Sequence, residues 1–102
     1  MATDFSTFLH EDRRAVILRV LLESAGYTAN EHSLHSMVER LGHVVSSDRI
    51  RTDLAWLQDQ GLLTVEDVAT VQIATLLVLG EDVARGRMLF PGVKRPPTLR
   101  RA

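Results

Sequence analysis

A mainly α-helical fold carrying one β-hairpin (α+β) is what this 102-residue sequence predicts, and three observations predict it. Between Asn30 and Gln60, two runs with helical apolar spacing are joined by a short turn containing Gly42. Gln60-Gly61-Leu62-Leu63 closes the second run, where glycine supplies the left-handed residue that ends a helix. Two β-rich runs then follow without a gap. Helix, turn, helix, Gly-Leu-Leu and hairpin in that order make a winged helix-turn-helix, in which the second helix can lie in a DNA major groove with the hairpin beside it.

The first helix is expected over about 10–25, led in by Phe5, Phe8 and Leu9 and closed by Gly26. Its Val16, Ile17, Leu18, Val20, Leu21 and Leu22 cover far more than the usual stripe of about 100°, so one packing partner does not bury them all. Either the helix is central to its own domain, or it carries a dimer contact. The dimer expectation places Val16, Ile17, Val20 and Leu21 against a second copy, together with Leu79, Val83 and Phe90 from the end of the chain.

Asn30 is a good N-cap for a helix over 31–41, with Leu34, Val38 and Leu41 at helical spacing. Ser46 or Ser47 caps a third over 47–60, whose buried face is Ile50, Leu54 and Leu57. That leaves Ser47, Arg49, Arg51 and Thr52 on or near the outer face, at the end suited to a groove. Arginine bonds guanine O6 and N7 in a bidentate way, and Ser or Thr suits phosphate oxygens or a thymine methyl. Asp48 and Asp53 share this helix and repel phosphates unless each pairs with a base; an Arg49 to Asp53 pair on a plain solvated face is the competing reading. Trp56, the single tryptophan, lies off the apolar stripe and reads as packing, under the wing or against a partner.

The hairpin is expected over about 62–77, with its turn between Glu66 and Thr70, although Val68 onward also carries the Ala and Leu of a helix. Its tip bears Glu66 and Asp67, where a wing that enters a minor groove offers Arg or Lys. A last helix is expected over 78–87, its acids ahead of its arginines as the macrodipole favours. Pro91, Pro96 and Pro97 then exclude a helix. The expected organisation is one winged-helix domain over 1–89 and a basic, proline-containing arm over 90–102, lying across a partner subunit or along a DNA backbone.

Charge divides the same way. Residues 1–84 carry −7 and residues 85–102 carry +6, so the near-neutral total hides an acidic body and a basic tail. Counterion release at phosphates supplies much of any affinity for DNA, so Arg85, Arg87, Lys94 and Arg95, with Arg100 and Arg101, join the candidate DNA contacts. A solvated terminus is the plain alternative. With no cysteine, disulfides and thiolate metal sites are excluded. No apolar run approaches the roughly 18 residues of a membrane span, and the acidic N-terminus is unlike a signal peptide, so a cytoplasmic protein of a bacterial host cell is expected. His32, His35 and His43 read as surface or capping residues, not as a cation site. Nothing has the spacing of a catalytic triad, phosphate loop or metal motif, so neither an enzyme nor a cofactor is expected.

The run SSDRIRTDLAWLQDQGLLTV resembles the recognition helix and first wing strand of ArsR-like regulators, in which Ser-x-x-x-Ile/Val-x-x-x-Leu-x-x-Leu precedes Gly-Leu-Leu/Val. The whole chain, including the closing GEDVARGRMLFPGVKRP, resembles small winged-helix proteins of Mu-like phages and prophages. This resemblance implies a dimeric, double-stranded DNA-binding transcription regulator of phage or prophage origin. Metal-sensing ArsR-like proteins place cysteines, or carboxylates with histidine, on the terminal helix; here that helix has Glu81 and Asp82 without His, so no metal is implied. The alternative from a different class is a winged-helix protein-interaction module, or phage accessory protein, that binds no DNA.

Overall fold

A computed structural model describes residues 4–97. Helix α1 spans Phe5–Leu22, strand β1 Thr28–Asn30, helices α2 and α3 Glu31–Arg40 and Ser47–Asp59, strands β2 and β3 Leu63–Val68 and Val71–Leu76, and helix α4 Val78–Ala84. The helices, the turn between α2 and α3, and the hairpin make the winged helix-turn-helix that the pattern predicts. All expected elements are present, with shifted ends.

Helix α1 starts at Phe5, ahead of the expected residue 10, because the Asp4 carboxylate accepts a 2.8 Å hydrogen bond from Thr7 N and caps it. It stops at Leu22, not at residue 25, because Ala25–Tyr27 form a 3-10 turn with Gly26 and Tyr27 both at positive φ. The turn redirects the chain into β1, a strand absent from the sequence expectation. Strand β1 pairs antiparallel with β3 (Thr28 with Thr75, Asn30 with Ile73), so the hairpin is part of a three-stranded sheet ordered β1-β3-β2. Helix α4 ends at Ala84 and leaves residues 85–87, expected within it, as a turn.

The core gathers Ile17, Leu18 and Leu21 of α1, Leu34 and Val38 of α2, and Ile50, Leu54 and Leu57 of α3 over Leu62, Leu63, Ala74 and Leu76 of the wing base. Leu41, expected on the buried face of α2, is exposed at its C-cap. Gly80 lets α4 lie directly on the strand entry: a Cβ there would stand 2.0 Å from Leu62 O. Two bonds place the third helix. Arg13 and Asp53, both nearly inaccessible, form a two-point ion pair from α1 to α3, with Arg13 Nη2 3.2 Å from the second carboxylate oxygen. Asp53 therefore pairs with Arg13, not Arg49.

The chain after α4 is not an arm lying free of the domain. Phe90 packs on the core and Val93 is buried in it. Arg14 Nη1 donates to Gly92 O at 2.9 Å, Lys94 N donates to Glu11 O at 3.1 Å, and the Lys94 ammonium lies 3.1 Å from Asp12. Residues 90–94 thus fold back on α1 of the same chain, which corrects the expected path at its start. Arg100 and Arg101 lie outside the described residues.

Candidate nucleic-acid interface

Helix α3 begins where Ser46 Oγ accepts from Arg49 N at 3.1 Å, and Ser47 and Asp48 of its first turn are exposed. Ser47, Asp48 and Thr52 are exposed or half-exposed there, and Thr52 Oγ1 donates back to Asp48 O at 3.0 Å. Arg49 is half-buried on the flank facing α1, and its side chain makes no ion pair among the described residues. Its charge acts on His10, whose pKa is lowered by burial first and then by Arg13, Arg49 and Arg14. Ser47 and Thr52 thus lie on the outer side of α3 and Arg49 on its flank.

The fourth candidate, Arg51, is exposed but tied to its own chain. Its Nε and Nη2 donate to the two oxygens of Glu31 at 2.7 and 2.6 Å, and Nη2 also donates to Thr70 O at 3.0 Å. Glu31 is 5% exposed and accepts a further bond from Gln72 N at 2.8 Å. The Arg51 hydrogen bonds, opposed by burial and aided by Gln72 N, hold the Glu31 carboxyl down to about 2. One carboxylate at the start of α2 therefore sets the wing against the third helix. Sequence reading misses Glu31, since an acid in the first turn of a helix is ordinary and its partner lies 20 residues on.

The wing tip is acidic. Ala69 and Thr70 turn it with φ of 49° and 69°, and Glu66 and Asp67 are exposed beside it. Trp56 packs with its own chain: the Arg14 guanidinium lies 4.0 Å from its ring centroid and Gly92 abuts the ring. His32, His35 and His43 go to separate places, His35 to Val45 O at 2.6 Å, His43 to Asp12 at 2.6 Å, and His32 to solvent.

The basic residues of the C-terminal region gather elsewhere. Arg85, Arg87 and Arg95, with Arg19, line an open groove of about 730 Å³ where α1 and α4 end. Arg85 pairs with Glu81 at 2.9 Å, Arg87 with Asp82 at 3.1 Å and Arg19 with Glu23 at 2.7 Å. Two helix C-termini add partial negative charge there, so the arginines largely neutralise their own surroundings. Lys94 is on Asp12. Arg85, Arg87 and Arg95 thus share the groove at the ends of α1 and α4, and Lys94 lies apart from them on α1.

The expected dimer residues also divide. Ile17, Leu21 and Val83 are buried in the chain's own core, whereas Val16, Val20, Leu79 and Phe90 are half-buried at its margin. Exposed Leu77 and Val78 lie at the start of α4, and exposed Met88 and Leu89 follow it in the chain.

No family model matches the chain. Over 88 residues it is 46% identical to gp26 of Escherichia phage Mu, an alignment that covers 86% of this chain and 91% of the phage protein. The chain belongs to the family of phage Mu gp26. A protein of Haemophilus influenzae is 48% identical over 62 residues, 61% of this chain and 60% of that one. The heat-inducible transcription repressor HrcA of a Nocardioides species is 35% identical over 69 residues, 66% of this gp26-family chain but only 20% of the repressor. The likeness to HrcA is therefore local.

Proposed function

We propose that this gp26-family protein is a binding protein, not an enzyme, that holds duplex DNA against the N-terminal face of α3. The observation that carries this reading is the geometry of that face. It has a capped helix start with accessible Ser47 and Thr52 and an Arg49 that makes no ion pair among the described residues, beside a wing fixed in place by Glu31 and Arg51. Local similarity to a transcription repressor supports a role in regulating transcription, here in a phage or prophage acting within the bacterial cytoplasm. An ArsR-like assignment rests on the Ser-x-x-x-Ile-x-x-x-Leu-x-x-Leu run and its Gly-Leu-Leu continuation.

A homodimer belongs to the same proposal, since two half-sites double the contacts that one small acidic domain makes. Its contact is placed on the marginal apolar residues Val16, Val20, Leu79 and Phe90 and the exposed Val78 and Leu89, because the other candidates already fill the core. A second reading, a protein-interaction module with a basic partner, is favoured by one specific observation: Glu66 and Asp67 flank the wing tip while Arg51 is tied to Glu31. Titration of fluorescent duplex DNA at two salt concentrations separates the two. The DNA reading expects binding that weakens with salt and falls on Arg49→Ala with Thr52→Ala; no binding at low salt refutes it.

A further inference from the structure

We infer that Glu31 is an internal competitor for Arg51, an autoinhibitory ion pair that a DNA phosphate displaces when α3 and the wing engage a duplex. This rests on the DNA-binding reading and gives it a built-in restraint. The guanidinium presents its fork to Glu31 in the two-point geometry with which arginine takes a phosphate, at 2.7 and 2.6 Å. The two partners differ in access: the Arg51 side chain is 44% exposed on the outer face of α3, and that of Glu31 is 5% exposed. Arg51 can therefore swing outward while Glu31 stays.

Glu31 is only partly provided for after the exchange. It keeps the 2.8 Å bond from Gln72 N and its place in the first turn of α2, where the helix dipole favours a negative charge. The exchange leaves Glu31 Oε2 bonded to Gln72 N but strips Oε1 of Arg51 Nε, and this uncovered carboxylate is the cost that makes the pair a restraint. The exchange removes the donor from Thr70 O, so the wing tip loosens as the arginine leaves. Asp48 and Asp67 are the other charges that act on Arg51, and both oppose an arriving phosphate, which sharpens the restraint.

The sign of one substitution decides between competition and a purely structural clasp. With Glu31→Gln, competition predicts roughly fivefold tighter binding of a mixed-sequence duplex at low salt with a log–log salt slope close to that of wild type, because Arg51 neutralises the same phosphate in both complexes. Arg51→Gln weakens binding, and adding Glu31→Gln to it changes nothing further. A folded Glu31→Gln protein that binds equally or more weakly overturns the inference. Should that variant fail to fold, Arg51→Lys carries the test, because lysine keeps the charge but loses the fork. Affinity at or above wild type supports competition; a fall to the level of Arg51→Gln overturns it. Salt-dependent binding that needs Arg49 and Thr52 but ignores Glu31 removes only the competitor. Absence of binding by both wild type and Glu31→Gln removes the DNA reading with it.

Discussion

Two carboxylates carry most of the architecture around the third helix. Glu31 has a folded pKa of about 2 against an ordinary 4.5, so its contribution to stability is complete above 4.5 and lost as pH falls towards 2. Urea denaturation across that range is expected to show a shallower acid loss for Glu31→Gln than for wild type. Asp53 is different in kind, because both it and Arg13 are buried. Asp53→Ala leaves a buried guanidinium unpaired and is expected to cost about 3 kcal/mol or more, whereas Arg13→Met with Asp53→Leu costs much less than the two single changes combined. Chemical denaturation of the three variants checks both statements. At this scale the sequence is least readable. It presents Arg51 as a free groove contact and Asp53 as a partner of Arg49, because the spacing on one helix says nothing about a residue on another.

The elements themselves are readable where periodicity and caps agree. Asn30, Ser46 and Gly61 mark α2 and α3, and Leu34, Val38, Ile50, Leu54 and Leu57 face the core as their spacing requires. Strand β1 escapes notice because three residues are too few to alternate, and its existence depends on β3, more than forty residues away. The hairpin turn is placed only broadly by sequence for a related reason: Ala69 and Thr70 occupy left-handed positions that Asn and Gly normally fill. Glycine takes such a position without the steric cost, so Thr70→Gly is expected to stabilise the protein by about 1 kcal/mol, read as a raised denaturation midpoint. Gly80 gives the opposite result. Helix propensity alone favours alanine there, yet the added methyl meets Leu62 O at 2.0 Å, so Gly80→Ala is expected to lower stability by about 2 kcal/mol.

For the whole molecule, the split into acidic body and basic tail is correct as a count and misleading as a map. Arg85, Arg87 and Lys94 each answer an acid of the body, and Phe90 and Val93 close the core that a domain ending at Leu89 would leave open. Truncation after Leu89 is accordingly expected to destabilise the fold and to change the fluorescence of Trp56, which loses Gly92 from its ring. What remains for a duplex is the start of α3 and the wing that Glu31 and Arg51 hold beside it. The most direct measurement is an amide chemical-shift map of the ¹⁵N-labelled protein titrated with duplex DNA at low salt. The DNA-binding account predicts the largest shifts at residues 46–52 and at the wing tip around Thr70; shifts confined to residues 84–97, or none at all, would contradict it.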